Sequence, residues 1–131
     1  PAIALAKKLA EITPEGFNHV FFTNSGSEAN DTVMRTVRRY WRLLDKPEKR
    51  YIISLKEAYH GSTVAAASLD AQSLAHEMDG LPIPEIAHID HPYWYGEGGD
   101  LPLDEFGLKT AKCLETKIKE IGQEKVAAFI G

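Results

Sequence analysis

The sequence predicts an α/β domain with a mostly parallel sheet flanked by helices. Helical and strand patterns alternate along the 131 residues, which is the order typical of layered α/β folds. One strand pattern, at residues 51–55, is apolar on both faces, as is usual where helices cover both sides of a sheet. The composition, 44% hydrophobic and 26% charged, is that of an ordinary globular domain.

The first part of the chain contains two predicted helices and two predicted strands. Apolar residues at helical spacing predict a helix over residues 2–12, and a turn containing Pro and Gly ends it. Residues 19–23 predict a first strand. A longer amphipathic pattern predicts a helix over residues 27–44, followed by the second strand at residues 51–55.

The two sides of the long predicted helix differ in character. Its basic side has the pattern of a solvated face or of an interface with an acidic partner. The residues expected on that side are Arg35, Arg38, Arg39 and Arg42. The residues expected on the apolar side are Ala29, Val33, Val37, Tyr40, Trp41 and Leu44.

A short Ala-rich helix is predicted next, with Ser62 as its cap and its end near residue 69. Residues 70–84 have weak periodicity and contain Gly and Pro, so we expect mostly loop. Residues 86–90 predict a third strand.

The last part of the chain begins with an aromatic, glycine-rich loop at residues 91–100. Asp104 is the expected cap of a helix that ends before Gly122. Residues 126–131 predict a fourth, buried strand. The buried stripe of the helix is expected to comprise Leu108, Ala111, Leu114, Ile118 and Ile121.

Charge and hydropathy exclude several classes of partner. The net charge of −4 argues against nucleic acid or an anionic membrane as the main partner. No apolar run approaches the roughly 20 residues of a membrane span. The single cysteine, Cys113, is compatible with a reducing compartment, and we expect a cytoplasmic protein.

The turn Asn24–Ser27 connects an apolar run to the start of the long helix. The first N–H groups of a helix have no intrahelical partner, and the dipole there is positive. Two serine hydroxyls and the small Gly26 add donors and room, so this turn is a candidate phosphate site. The same residues would also serve as a helix cap and nothing more. They match neither a P-loop nor a dinucleotide fingerprint.

Ligands of parallel sheets bind beyond the carboxyl ends of the strands, where three loops are expected: residues 24–27, 57–61 and 91–100. The second loop carries Tyr59, whose flat ring could stack on a ligand. A packing or rim role for Tyr59 is the alternative. A phosphate site beside an aromatic plane indicates a phosphorylated aromatic cofactor.

His88, Asp90 and His91 have side chains that can bind metals, and residues 88 and 90 share one face of a strand. A partly buried structural role is the favoured interpretation, and we expect no metal site.

Two motifs carry a family resemblance. Phe22-Thr23-Asn24-Ser25-Gly26-Ser27-Glu28-Ala29-Asn30-Asp31, followed by Tyr59-His60-Gly61, resembles the class III (omega-type) aminotransferases, which are pyridoxal-phosphate enzymes of fold type I. The resemblance covers essentially the whole chain. Residues 91–99 are most similar to the branch that acts on ω-amines or polyamines with pyruvate as acceptor.

The resemblance implies roles for individual residues. Gly26 and Ser27 should bind the phosphate of pyridoxal 5'-phosphate through backbone N–H groups and hydroxyl, with Ser25 shaping the turn. Tyr59 should lie against the pyridine ring. His60 belongs to the same motif and is included among the cofactor-binding residues.

The resemblance also implies what lies elsewhere. In that family, the lysine that forms a Schiff base with the cofactor and the acid that protonates the pyridine nitrogen both lie well beyond the strand predicted at residues 126–131. No lysine of this sequence is at a matching position, and Lys56, the one closest to a strand end, precedes the Tyr59 motif. We therefore expect residues 1–131 to be part of the large domain of a longer chain, and inactive alone. In fold type I the first strand is separated from the second by later strands, whereas strands two to four are neighbours.

The expected function is transfer of an amino group from an amine or ω-amino acid to a keto acid, with pyruvate the expected acceptor. The expected assembly is a homodimer or a dimer of dimers. Two alternatives remain open: an aminomutase of the same family, and a non-catalytic phosphate-binding α/β module. The aromatic loop around Trp94 also suggests a segment that serves mainly as an interface. The sequence leaves the amino donor undetermined.

Overall fold

A computed structural model describes the backbone of residues 1–131 and all side chains except those of Ser73 and Ala75. Within this part, three strands form one parallel sheet with helices around it, which confirms the predicted fold class. None of the helices described combines the length and the hydropathy of a membrane span. The elements in chain order are α1 (Ala2–Ile12), α2 (Gly26–Leu43), β1 (Tyr51–Leu55), α3 (Val64–Leu69), α4 (Ser73–Asp79), β2 (Ile86–Ile89), α5 (Trp94–Glu97), α6 (Leu103–Ile121) and β3 (Val126–Phe129).

Strand β1 lies at the centre of the sheet and pairs in parallel with β2 on one side and β3 on the other. These are the three strands that were expected to be neighbours. Ile53 and Ser54 of β1 are fully buried, as the apolar pattern on both faces predicts.

Helices cover the two faces of the sheet. On one face, Ile52 packs in a buried cluster with Met34 of α2 and Leu69 of α3. On the other face, Leu114 of α6 lines a groove together with Leu55. Successive side chains of a strand point to opposite faces, so β1 contributes to the core on both sides.

A bulge at the start of β3 ties α2 to the edge of the sheet. Tyr51 pairs with Val126 and the next residue pairs with Ala128, so Ala127 is the extra residue of the bulge. The carbonyl of Ala127 accepts a hydrogen bond from Nε1 of Trp41 at 2.8 Å. The bulge therefore turns a backbone acceptor toward the helix.

The prediction of a strand at residues 19–23 is wrong. This segment is not a strand in the structure, and the side chain of Phe21 is 74% exposed. A strand is held by hydrogen bonds to a neighbour, and no strand of residues 1–131 lies beside this segment. An apolar run alone does not make a strand without such a partner.

Helix α4 lies within residues 70–84, where mostly loop was expected. Its end is marked by Gly80, which has φ 67° and whose N–H donates to the carbonyl of His76. Glycine adopts this left-handed conformation without steric cost. At seven residues, the helix is too short for its periodicity to stand out.

Two predicted caps differ from the observed ones. Thr63, rather than Ser62, caps α3: its hydroxyl accepts from the N–H of Ala66 at 3.4 Å. Helix α6 begins after Pro102, so Asp104 lies in its first turn instead of at its cap. Both boundaries are off by one or two residues, as is usual for helix ends.

The buried side of α2 is rotated from the predicted one. Met34, which was not assigned to the apolar side, is its most buried residue, whereas Val33 is 48% exposed. Val33 lines an open apolar groove of about 490 Å³ together with Phe21. Arg38 is not fully solvated either, since its guanidinium lies 3.5 Å from the carboxylate of Glu85.

Helix α6 and strand β3 are less buried than predicted. Phe106 is the buried residue of α6, and Leu108 of the predicted stripe is exposed. Phe129 of β3 is also exposed, because β3 forms an edge of the three-stranded sheet. The aromatic loop contains the short helix α5, which was not predicted.

His88 of β2 generates a prediction about pH. Its Nε2 lies 3.2 Å from the carbonyl of Leu69, and burial lowers its pKa below 6.5. Below pH 6.5 the unfolded chain takes up a proton at this position more readily than the folded chain does. The stability of the whole protein that carries this chain should therefore be fully present above pH 6.5 and decline as pH falls through the folded pKa.

Thermal unfolding across this pH range measures the effect. His88→Gln retains a donor for the Leu69 carbonyl and should flatten the profile. The exposed His19→Gln is the control and should leave it unchanged. An identical slope in His88→Gln and the parent protein would contradict the prediction.

Candidate functional site

The first turn of α2 is closed by a reciprocal set of hydrogen bonds. Ser25 is the N-cap, with extended backbone, and its hydroxyl accepts from the N–H of Glu28 at 3.2 Å. The carboxylate of Glu28 accepts from the backbone N–H and the side-chain amide of Asn24, at 2.9 and 3.2 Å. Such bonds satisfy helix-end donors and hold the turn in one conformation. Ser25 is therefore the cap that shapes the turn, and its place among the cofactor-binding residues stays a prediction.

The backbone N–H groups of Gly26 and Ser27 remain available at this helix end. In the structure as described, neither of them donates a hydrogen bond. They lie at the positive end of an 18-residue helix. A Cβ built on Gly26 would meet nothing within 4 Å, so the approach to these donors is open.

Tyr59 presents an uncovered ring. Its side chain is 72% exposed, and it takes part in none of the aromatic pairs or hydrogen bonds of the described side chains. The position of Tyr59 is close after the carboxyl end of β1. A flat, solvent-facing ring at that end of a parallel strand is suited to stack on a bound ligand.

Gly61 brings the two motifs together. A Cβ on Gly61 would lie 2.5 Å from the hydroxyl of Ser27 and 2.9 Å from both Ser27 Cα and Ala66 Cβ. Its φ of +144° also favours glycine. The N–H of Ser62 then donates to the hydroxyl of Ser27 at 3.0 Å. Ser27 and Ser62, which are 35 positions apart in the chain, are therefore in direct contact.

The ring of His60 points into the fold. Its Nε2 lies 3.0 Å from the hydroxyl of the buried Ser54. Its backbone N–H donates to the carboxylate of Asp70, and its carbonyl accepts from the side-chain amide of Asn30 at 2.7 Å. The cofactor-binding role expected for His60 stays a prediction, and the structure assigns its ring to a partner in the sheet.

Sequence reasoning did not identify Asn30, Ser54 and Asp70 as part of this site. One signal was present for Asn30: it follows Ser27 by three residues, and such residues lie on the same face of a helix. For Ser54 and Asp70 the chain offered no signal, because their contacts with His60 arise only from the packing of β1 and α3.

The aromatic loop packs on itself. Nε1 of Trp94 donates to the carbonyl of Leu101 at 2.9 Å, and the rings of His91 and Tyr93 stack with centroids 5.5 Å apart. None of the hydrogen bonds or aromatic pairs among the described side chains links this loop to the other two. The expected meeting of three loops is thus observed for two of them.

Lys56 and Asp90 form an ion pair at the carboxyl ends of β1 and β2, with Nζ and Oδ1 2.7 Å apart. The hydrogen bond between them raises the pKa of Lys56 above 10.5 and lowers the pKa of Asp90 below 3.8. Both side chains are more than half exposed, so solvent screens the pair. At neutral pH Lys56 is therefore an ammonium paired with the Asp90 carboxylate.

The three side chains considered for a metal site have different partners. His88 contacts the Leu69 carbonyl, Asp90 pairs with Lys56, and His91 stacks on an aromatic ring. Over the described residues, no group of three or more His, Cys, Asp or Glu side chains is arranged to hold a metal ion.

The site has the donor set of a phosphate anchor beside a flat platform. A phosphate dianion would meet two N–H groups and the positive end of the helix dipole here. The hydroxyl of Ser27 accepts from Ser62 and retains its own hydrogen, which it can donate to the phosphate. The ring of Tyr59 suits the plane of an aromatic cofactor. The donor set and the flat ring of these residues fit pyridoxal phosphate.

Comparison with known proteins gives a family match over the whole chain. The class-III aminotransferase family matches residues 1–131. A putrescine–pyruvate aminotransferase of Pseudomonas aeruginosa is 57% identical over 130 residues, which are 99% of this chain and 28% of that protein. A diaminobutyrate–2-oxoglutarate transaminase of Halomonas elongata is 38% identical over 134 residues, covering all of this chain and 29% of that protein. The chain thus spans less than a third of the length of these relatives.

Solved structures of transaminases share the fold. A thermostable (S)-enantioselective omega-transaminase from Thermomicrobium roseum superposes with a TM-score of 0.94 at 38% identity, covering all of this chain and 29% of that one. A pyridoxal-phosphate-bound aminotransferase mutant from Vibrio fluvialis has a TM-score of 0.89 at 34% identity, covering 97% of this chain and 28% of that one.

The close approach at Gly61 gives a prediction. Gly61→Ala should destabilise the whole protein and separate the two motifs, because its Cβ would overlap the first turn of α2. Gly16→Ala is the matched control: Gly16 also has positive φ, at +95°, but a Cβ there would meet nothing within 4 Å. Thermal unfolding measures the stability of both variants, and cofactor titration measures their affinity for the cofactor. Equal losses of stability and affinity in the two variants would show that backbone strain, and not the close approach, explains the effect.

Proposed function

Because the chain belongs to the class-III aminotransferase family, we propose that the whole protein transfers an amino group from an amine or ω-amino acid to a keto acid, with pyruvate as acceptor. The proposal rests on one observation in the structure. The hydrogen bond from Ser62 to Ser27 joins the donors at the start of α2 to the loop that carries Tyr59. The relative from Pseudomonas aeruginosa, a putrescine–pyruvate aminotransferase at 57% identity, supports a small aliphatic amine as donor.

Class-III aminotransferases depend on pyridoxal phosphate, which when bound supplies the electron sink that lets an amino group leave one substrate and join another. The residues of this chain would hold it at both ends. Gly26 and Ser27 would bind the phosphate through their N–H groups and the Ser27 hydroxyl. Tyr59 would support one face of the ring and restrict its tilt.

Two reactive side chains near this site have other partners: Lys56 pairs with Asp90, and the ring of His60 contacts Ser54. A lysine and an acid supplied by the rest of the protein would complete the reaction, as the family resemblance implies. Residues 1–131 would then serve to place the cofactor in one orientation.

The assembly and location are also part of the proposal. We propose a homodimer or dimer of dimers in the cytoplasm, and the single cysteine of residues 1–131 is compatible with that location. The exposed Tyr95 and half-exposed Tyr93 of the aromatic loop are suited to a subunit contact. Sedimentation of the whole protein measures the assembly directly.

The assay uses the whole protein loaded with pyridoxal phosphate, with putrescine as donor and pyruvate as acceptor. We expect alanine to form and a visible absorbance band of bound cofactor. Omission of pyruvate is the control and should abolish turnover after one equivalent. An amino group that changes position without a keto acid would identify an aminomutase. Absence of cofactor retention would identify a phosphate-binding module of another kind.

Tyr59 gives a prediction within this function. Tyr59→Ala should raise the dissociation constant of pyridoxal phosphate by about ten- to a hundredfold, since stacking of a flat ring contributes about 1–3 kcal/mol. Tyr59→Phe keeps the ring and should bind within about threefold of the parent protein. Absorbance titration of the cofactor-free protein measures this dissociation constant for the parent and for the two variants. An unchanged constant in Tyr59→Ala would rule out the stacking role.

A further inference from the structure

We propose that His60 is a positioning residue: Asn30, Ser54 and Asp70 hold it at three points, and it thereby sets the orientation of the Tyr59 ring over the cofactor. This inference deepens the proposed function and rests on it, because it concerns the same site. It assigns a role to Asn30, which the first motif contains without a role, and to Ser54 and Asp70, which lie outside both motifs.

Tyr59 does not fix its own position. Its ring is largely exposed, and none of the hydrogen bonds or aromatic pairs of the described side chains includes it. The direction in which it points is therefore set by the backbone on either side. On the amino-terminal side the chain has just left β1 through the turn at Glu57, which has φ 58°. On the other side the next residue is His60.

His60 is held by three different elements. Its carbonyl accepts from Asn30 of α2 at 2.7 Å, its ring Nε2 lies 3.0 Å from the hydroxyl of Ser54 in β1, and its N–H donates to the carboxylate of Asp70 at the end of α3. Rotation about either backbone torsion of His60 would break at least one of these bonds. The residue therefore acts as a fixed point next to Tyr59.

Two of the three partners of His60 are buried. Ser54 is fully buried and Asp70 is 7% exposed, whereas Asn30 is partly exposed. Loss of the contact with His60 would leave a polar group of Ser54 or Asp70 without this partner in a place that water reaches poorly. Asp70 is a buried carboxylate with no part in the proposed reaction. Its contact with the N–H of His60 gives it a function as the acceptor that fixes the backbone at this residue.

One face of α2 is hydrogen-bonded to the residues before and after Gly61. Ser27 accepts the N–H of Ser62, and Asn30, three residues later, donates to the carbonyl of His60. Residues at this spacing lie one above the other on a helix. The donors for the phosphate and the support for the ring are thus fixed relative to one rigid element. This suits a cofactor whose phosphate and ring belong to one small molecule.

Two buried serines provide a matched test. Ser54→Ala removes the partner of the His60 ring. Ser68→Ala is the control: Ser68 is also fully buried, donates to the Val64 carbonyl at 2.7 Å and accepts from the N–H of Ile83 at 3.0 Å. Both variants lose a hydroxyl of the same kind, and only Ser54 contacts the residue next to Tyr59.

The variants are compared in the whole protein by three measurements: the visible circular dichroism of bound pyridoxal phosphate, its dissociation constant, and inhibition of cofactor binding by inorganic phosphate. Ser54→Ala should change the dichroism and raise the cofactor dissociation constant by about threefold to tenfold. It should leave the phosphate inhibition constant unchanged, because the donors of Gly26 and Ser27 are intact. Ser68→Ala should lower the thermal midpoint without changing any of the three.

Variants at the other two contacts keep the test decisive if Ser54→Ala fails to fold. Asn30→Ala should repeat its effects. Asp70→Ala should do so too, whereas Asp70→Asn keeps an acceptor oxygen for the N–H of His60 and should behave like the parent. If the parent holds the cofactor and the Ser54, Asn30 and Asp70 variants all match Ser68→Ala, this inference is wrong and the proposed function stands. If the parent holds no cofactor, both are wrong.

Discussion

The contact between Gly61 and the first turn of α2 is the constraint on which the site depends. No side chain fits between them, since a Cβ at Gly61 would lie 2.5 Å from the hydroxyl of Ser27. This closeness lets the N–H of Ser62 reach that hydroxyl and the amide of Asn30 reach the carbonyl of His60. Two segments that could bind a phosphate or a ring separately are in this way held as one surface.

The sheet gives that surface its rigidity. Strand β1 has a neighbour on each side and helices over both faces, and its buried Ser54 contacts the ring of His60. The loop after β1 is therefore anchored at the strand and again at α2. Binding residues placed on loops gain precision when a fixed scaffold holds both ends, and here the scaffold is the central strand and a long helix.

The features that could be predicted from the sequence are those that depend on interactions between residues close together in the chain. Helix α1, strand β1 and the turn at Ser25 depend on neighbouring residues, and periodicity and capping chemistry were enough to locate them. The segment at residues 19–23 was predicted incorrectly, because a strand exists only beside a partner. The hold on His60 depends on side chains brought together from three elements, which no local pattern encodes. Its discovery required coordinates.

The parallel pairing of β1 with both β2 and β3 has a consequence for the order of events during synthesis. The ribosome makes Ser27 and Tyr59 well before Val126–Phe129, so these two residues emerge before β1 can pair with β3. Parallel pairs distant in sequence form slowly and leave strand edges exposed meanwhile. Trp41 reaches the bulge at Ala127, so this bond between α2 and the sheet forms only after β3 is made, whereas the packing of α2 on β1 and α3 needs no residue of β3. Helix α2 would accordingly be attached to the sheet in two stages, first at its packed face and then at Trp41.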